Sequence, residues 1–428
     1  MTRPALPAGL RVLVVGGGGR EHALAWACRR SPWVDAVHCA PGNGGTGAVA
    51  SNHDLAATDG VGLARLAREL GVQLAVLGPD AAVAAGVGDR LTAAGVACFG
   101  PSAAAGRVES SKAHAKACMA RAGIATADFA VFDDWPRARR HIAAQPGPLV
   151  VKADGPCLGK GVFVCDDRTE ALRRAEALLV GGRLGAAGRR VVVEERLEGP
   201  EVSLFALCDG ERAVMLPSAE DYKRRADGDG GPMTGGMGAV TPPQLAGWRE
   251  QTTGALDAIV LPLLRELCRQ GTPYRGCLYV GAMRARGRLH VLEFNARFGD
   301  PEAEVILPVL PDPVPWFWEV AQGRLELPAP EPSGEHAVGV VVVDRGYPDQ
   351  AATGAPVTAP DPLPGAAHLF QMGTRRDDRG LLWASGGRVL CCVGTGPDRT
   401  AARARAYAAV AAVGLPGADW RTDIAADR

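Results

Sequence analysis

His290-Val291-Leu292-Glu293-Phe294-Asn295-Ala296-Arg297-Phe298-Gly299-Asp300-Pro301-Glu302 runs from an apolar strand into a cluster of charged and amide side chains. Alternate residues of a strand point to one face, so Glu293 and Asn295 share a face while Phe294 points to the core. Arg297 joins that face if the strand continues. A carboxylate beside an amide oxygen suits Mg²⁺, which takes hard oxygen ligands and shares them with phosphates. A guanidinium two residues on can neutralise charge on a transferring phosphoryl group. The plain alternative is a strand that ends in a polar turn at Gly299-Asp300-Pro301. The flanking sequence decides between them.

Composition narrows the field. At 428 residues the chain is long enough for two or three domains. Lys+Arg and Asp+Glu balance at 47 each, which speaks against nucleic-acid or anionic-membrane binding through bulk charge. No apolar stretch approaches membrane-spanning length, and Val12-Leu13-Val14-Val15 is too short for a signal-peptide core. A soluble, cytoplasmic protein is expected. The eleven cysteines are scattered without a C-x-x-C pair and read as reduced thiols.

Working outward, Leu278–Met283 pairs as a strand with Leu289–Glu293. Further upstream, Pro148–Lys152 is a strand ending in Lys152. Gly155-Pro156-Cys157-Leu158-Gly159-Lys160-Gly161 follows, similar to a P-loop but lacking its Ser/Thr after the lysine. Glycines at 155, 159 and 161 with two lysines describe a mobile β-hairpin lid over phosphates; a flexible surface turn is the alternative. Arg190–Leu204 reads as two strands around a Gly-Pro bend, a hinge whose backbone can read an adenine edge and whose glutamates can take ribose hydroxyls. Ser111 is a plausible N-cap for a helix to Arg121, and Lys112 in its first turn, against the dipole preference, either faces a phosphate or is an exposed surface lysine. Asp221–Ala239 is too glycine-rich for regular structure and reads as an ordered loop at a site.

At the N-terminal end, Arg11–Val15 is a strand running into Gly16-Gly17-Gly18-Gly19-Arg20-Glu21-His22 and a helix to about Arg30. That is an anion site by geometry, although the third glycine of a dinucleotide fingerprint is replaced by Glu21. Alternating strands and helices to about residue 108 make an open α/β sheet. After Glu302, a Pro-rich run leads to a smaller antiparallel α+β domain, with strands at Val338–Val343 and Gly387–Val393 and a helix from about Thr400 to Val413. The turn at Gly373-Thr374-Arg375 reads as a strand cap.

A lysine strand, a glycine-lysine lid, a Glu-Glu-x-Leu hinge and a late Glu-x-Asn-x-Arg strand, in that order, resemble the ATP-grasp fold. With Gly-Gly-Arg-Glu-His-Ala at 18–23, Pro-Gly-Asn-x-Gly-Thr at 41–46, Thr-Gly-Gly-Met-Gly at 234–238, Arg-Phe-Gly-Asp-Pro-Glu at 297–302 and Ser-Gly-Gly-Arg-Val-Leu at 385–390, the chain is similar to the phosphoribosylamine–glycine ligase family. The resemblance implies three parts: an N-terminal open parallel α/β domain over 1–108, an ATP-grasp domain over 109–331 with a lid at about 126–198, and a C-terminal α+β domain over 332–428. It implies a monomer that joins glycine to 5-phosphoribosylamine through a glycyl phosphate, at the expense of ATP and with Mg²⁺ or Mn²⁺.

The resemblance also implies roles. Lys112 and Lys152 hold ATP phosphates under the lid of Gly155, Gly159, Lys160 and Gly161. Glu194, Glu195 and Leu197 form the adenine hinge, and Glu201 takes the ribose. Glu293 and Asn295 bind the metal. Arg297, with Lys152 and Lys160, serves the chemistry. Gly18, Gly19, Arg20, Glu21, Pro41, Gly42, Asn43 and Thr46 take the phosphoribosyl part; Asp221, Lys223, Thr234, Gly235, Gly236 and Asp300 take glycine. Met233, Pro156-Cys157-Leu158, Glu304 and Gln371-Met372 depart from what members usually carry. A paralogue with a different amino acid or phosphorylated amine is therefore the second reading. A catalytically inactive binding module is the third.

Overall fold

A computed structural model describes residues 6–157 and 161–427. The N-terminal unit is a five-stranded parallel sheet in the order Ser51–Asn52, Val34–Pro41, Leu10–Gly16, Leu74–Leu77, Ala97–Phe99. Its central strand is covered on both faces: Val12 and Val14 lie in one apolar cluster, and Leu13 and Val15 in another. Burial on both faces is why this strand is continuously aliphatic, not alternating. The helix Gly19–Arg29 follows the glycine turn directly, and its N-terminus lies at the carboxyl edge of the sheet, where α/β folds place ligands.

Two antiparallel four-stranded sheets come next. One, in the order Phe129–Phe132, Val191–Glu195, Leu149–Ala153, Val162–Cys165, carries the helices Trp135–Ala144 and Arg168–Leu179. It encloses its own core of Val151, Val193, Ile142, Ala175 and Leu178. The other, in the order Ala213–Met215, Glu201–Gly210, Tyr274–Ala285, Arg288–Asn295, shares its apolar residues with the N-terminal sheet. The strands expected on either side of the Gly-Pro bend therefore belong to different sheets, and the bend is the joint between two separately packed bodies.

The last sheet crosses the expected boundary at residue 331. Glu220–Asp221 and Gly238–Thr241 pair into it beside His336–Asp344, Arg388–Gly396 and His368–Gln371. The glycine-rich stretch is thus not structureless, contrary to expectation. It starts and ends as strands of this sheet, and Arg224–Ala226 pairs with Gly230–Met233 between them. Cross-strand pairing supplies order that local propensity could not. Helix Arg399–Ala412, capped by Asp398 on the Ala401 N–H, covers the sheet. None of the helices among the described residues is long and apolar enough to cross a membrane.

Candidate functional site

The strand Arg288–Asn295 sets the first half of the site. Phe294, Ala296 and Phe298 are buried, while Glu293, Asn295 and Arg297 between them are only partly covered, so the alternation runs on past the end of the strand. Register places Gly281 opposite Glu293 and Tyr279 opposite Asn295. No second carboxylate therefore lies across the strand pair, and among the described residues no group of three or more His, Cys, Asp or Glu could hold a metal. Glu293 and Asn295 make a pair of hard oxygen donors that needs phosphate oxygens to complete a Mg²⁺ shell.

The electrostatics single out Glu293. Burial works against its ionisation, but Lys223, Lys152, Lys112 and Arg297 together hold its carboxyl below the usual range. Cations from four parts of the chain thus act on one carboxylate. Arg297 donates to Asn295 Oδ1 at 3.2 Å and pairs with Glu109 at 2.9 Å. Glu109 also accepts the Ala296 N–H at 2.7 Å. Burial opposes the Arg297 charge, and Glu109, Asp80, Glu302 and Asp300 outweigh it.

Lys152 lies on the lid-side sheet and reaches Leu292 O and Glu194 Oε2, both at 3.0 Å. Glu194 also pairs with Lys116 at 3.1 Å, and both partners are about 2 % exposed. Glu194 is thus the shared counter-ion of two lysines, as a buried charge requires a paired partner. Glu195 faces the other way and pairs with Arg286 while accepting the Asp128 N–H at 3.1 Å; Arg286 holds its carboxyl low. Both glutamates at the expected hinge thus have cationic partners within the chain, and the segment runs on into an apolar contact. Leu197 packs there with Ala127, Ala285, Met283 and Leu292. Glu201, half-exposed, stands beside Lys223 at 3.7 Å.

Lys112 is the first residue of helix Lys112–Ala122, whose N-cap Ser111 accepts from His114 N. Asp154 accepts the Ser111 hydroxyl and the Ala113 N–H, tying this helix to the lysine strand. The strands Leu149–Ala153 and Val162–Cys165 pair antiparallel, as a hairpin lid requires. Gly155 abuts Ala187, and Gly161 abuts Cys157. Gly159 and Lys160, expected at the tip, lie outside the described residues.

The second half of the site is a junction of three chain regions. Glu21 accepts the Gly18 N–H at 2.6 Å and the Arg20 Nε at 2.7 Å, while Arg20 also donates to Phe298 O. Asp300 accepts from Arg20 N and pairs with Arg388 at 2.8 Å; Arg388 also donates to the carbonyls of Gly235 and Asp300. Burial raises the Asp300 carboxyl, but Arg388 and Arg20 prevail and keep it low. Thr234 holds its own loop, donating to Lys223 O and accepting from Gly236 N. Gly236, at φ +112°, approaches Pro301 and Asp221 so closely that a Cβ would lie 2.5 Å from the proline ring. Burial first, then Glu302, pushes the Asp221 carboxyl well above its usual range.

Asn43 and Thr46 have an indirect part. The Asn43 side-chain amide donates to the carbonyls of Gly17, Gly18, Gln371 and Met372, and its oxygen accepts from Gly45 and Thr46 N–H. Thr46, fully buried, bonds within the same loop and to Asn52. These side chains fasten the loop Pro41–Thr46 and the glycine turn to the C-terminal sheet, and the Gly42 N–H in turn donates to Gly16 O. Gln371 and Thr374 bond to each other, and Thr374 O accepts from Gly44 N, so the turn expected to cap a strand seals this seam. Met233, by contrast, is 44 % exposed.

Sequence reasoning did not pick out Lys116, Glu109 or Arg388. Lys116 follows Lys112 by four residues, one helical turn, and that spacing was a usable signal. Arg388 lay within a quoted motif but was given no role, since its partner Asp300 is far away in sequence.

Comparisons with known proteins agree along the whole chain. Models for the N, ATP-grasp (A) and C domains of phosphoribosylglycinamide synthetase match residues 10–109, 110–303 and 337–427. The chain is 45 % identical to a phosphoribosylamine–glycine ligase of Streptomyces coelicolor over 97 % of its own length and 99 % of that protein. It is 42 % identical to one of Caulobacter vibrioides, covering 97 % of each. The crystal structure of phosphoribosylamine–glycine ligase from Thermotoga maritima superposes with a TM-score of 0.84 at 35 % identity, covering 97 % of this chain and all of that one. A biotin carboxylase domain from Hydrogenobacter thermophilus, solved with MgADP and bicarbonate, shares the fold alone, at 16 % identity and a TM-score of 0.73 over 96 % of this chain and 91 % of that one.

Proposed function

The chain belongs to the phosphoribosylglycinamide synthetase family, and on that premise we propose how its residues carry out the ligation of purine biosynthesis: ATP, glycine and 5-phosphoribosylamine give glycinamide ribonucleotide, ADP and phosphate. The observation that carries the assignment is the convergence of Lys112, Lys152, Lys223 and Arg297 on the Glu293 carboxylate. Glu194, Glu109 and Glu201 pair with Lys152, Arg297 and Lys223, and Glu293 beside Asn295 is left as the oxygen pair that suits a polyphosphate with its metal.

Phosphoryl transfer needs positioning and charge neutralisation more than covalent help. Lys112 and Lys152 hold the phosphates of ATP, with Gly155, Gly159, Lys160 and Gly161 as lid. Glu194 keeps Lys152 and Lys116 charged and in place. The apolar end of the hinge at Leu197 takes adenine, and Glu201 takes ribose hydroxyls. Glu293 and Asn295 would hold Mg²⁺ or Mn²⁺, which would supply charge neutralisation at the phosphates. A glycine carboxylate oxygen attacks the γ-phosphorus, the bond to ADP breaks, and glycyl phosphate forms, with Arg297 steadying the transferred group. The amine nitrogen of phosphoribosylamine then attacks the carbonyl carbon, phosphate leaves with the carboxylate oxygen it acquired, and the amine loses a proton.

Glycine is placed by Asp221, Lys223, Asp300 and the backbone of Thr234–Gly236. The phosphoribosyl group sits at the helix N-terminus of Gly18–Arg20, beside Pro41 and Gly42, where the helix dipole favours an anion. We further infer a monomer working in the cytoplasm. The test is ADP release measured with phosphoribosylamine and each amino acid in turn: glycine alone should support turnover, and a clear preference for another amino acid would refute the assignment.

A further inference from the structure

Glu304 is wholly buried on the short helix Glu302–Ile306, yet neither of its carboxylate oxygens meets a hydrogen-bond partner. It is aimed at the first residue of helix Gly19–Arg29: a Cβ on Gly19 would fall 2.3 Å from Glu304 Oε1 and 2.8 Å from Met372. Only a glycine lets the carboxyl group come so close to that N-terminus.

Two carboxyl groups share this pocket and their surroundings divide them. Asp300 has Arg388 and the Arg20 N–H as partners; Glu304 has none. When two acids sit together in low dielectric, the one with donors ionises and the other keeps its proton. Burial and then Asp300 push the Glu304 carboxyl well above its usual range, and Arg388, its own backbone N–H and Arg20 only partly offset them. The remaining charged or titratable neighbours do not alter this. On the helix, Glu21 is bonded to Gly18 and Arg20, and burial keeps His22 neutral by lowering it to about 4. Glu302 accepts from Ser203, and burial keeps Cys391 a thiol. The packed strands Gly238–Thr241 and His336–Asp344 carry no titratable side chain between their ends.

We propose that Glu304 is a positioning residue that must stay protonated for the N-terminal glycine turn to accept the anionic phosphoribosyl substrate. Neutral, it adds no further negative charge to a helix N-terminus that already holds Glu21 on the Gly18 N–H and Asp300 on the Arg20 N–H. Ionised, it puts a negative charge against the same N–H groups and competes with the ligand for them. This rests on the placement of the phosphoribosyl group at Gly18–Arg20.

The test is the affinity of ribose 5-phosphate for wild type and Glu304→Gln, measured calorimetrically between neutral and alkaline pH, where the phosphate charge stays constant. Wild type should lose roughly tenfold in affinity as pH rises, the effect of one nearby charge in a site of intermediate dielectric. Glu304→Gln should stay flat. The KM for phosphoribosylamine should follow the same split, with the KM values for ATP and glycine unaffected. Because the folded state raises this pKa, the contribution of Glu304 to stability is full at low pH and lost as pH rises through the raised value. Thermal unfolding should therefore show wild type falling behind Glu304→Gln at alkaline pH. Equal pH slopes of binding in the two proteins would overturn the proposal, even if their unfolding curves separate. Failure of wild type to bind at any pH would instead remove the substrate placement, and the proposal with it.

Discussion

At the scale of single residues, the Glu293–Asn295–Arg297 face was legible because strand alternation needs only sequence. Glu293→Ala should lower turnover by about a hundredfold or more, in line with the loss of groups that orient a metal, with an unchanged unfolding temperature; near-normal turnover at saturating Mg²⁺ would refute the metal assignment. What sequence could not disclose is how buried charges share partners. Glu194 was expected to serve the nucleotide and instead holds Lys116 and Lys152. Removing it by Glu194→Ala leaves two buried cations uncompensated and should cost about 3–5 kcal/mol of stability, measurable by denaturant unfolding. Lys116 adds a pH signature: burial, against the pull of Glu194, lowers it to about 8. From there up to the ordinary lysine range the unfolded chain binds more protons, so stability should rise with pH. Lys116→Met should remove that slope; an unchanged slope would mean that Lys116 titrates as an exposed lysine does.

Among elements, the hairpin at 149–165 was readable from glycine spacing and the lysine strand. The course of 221–239 was not, since its place in the sheet comes from pairing with the distant strand His336–Asp344. The lid reading has a direct probe in Cys157, which is half-buried and packed against Gly161. Burial raises its thiol and Lys112 partly offsets this, so it should alkylate slowly. If the hairpin closes over nucleotide, Mg²⁺-ATP should slow labelling of Cys157 severalfold further. Labelling indifferent to ATP would contradict the lid.

In the whole molecule, the order of the domains followed from composition and motifs, but the way they interlock did not. The C-terminal sheet borrows Glu220–Asp221 and Gly238–Thr241 from the preceding segment, and it sends Arg388 to Asp300 and the carbonyls of Gln371 and Met372 to Asn43. Asn43, expected at the phosphoribosyl site, also fastens the first part of the chain to the last. Asn43→Ala leaves several buried groups unsatisfied, at a cost of about 1–3 kcal/mol, and should raise the KM for phosphoribosylamine more than that for ATP. A variant of wild-type stability would contradict this role.

The central claim is that the Glu293 face drives ligation through glycyl phosphate. Glycine labelled with oxygen-18 in its carboxylate tests it most directly, by mass spectrometry of the phosphate released. The account predicts one labelled oxygen in each phosphate, formed only when ATP, glycine and phosphoribosylamine are all present. Phosphate free of label, with product still formed, would contradict it.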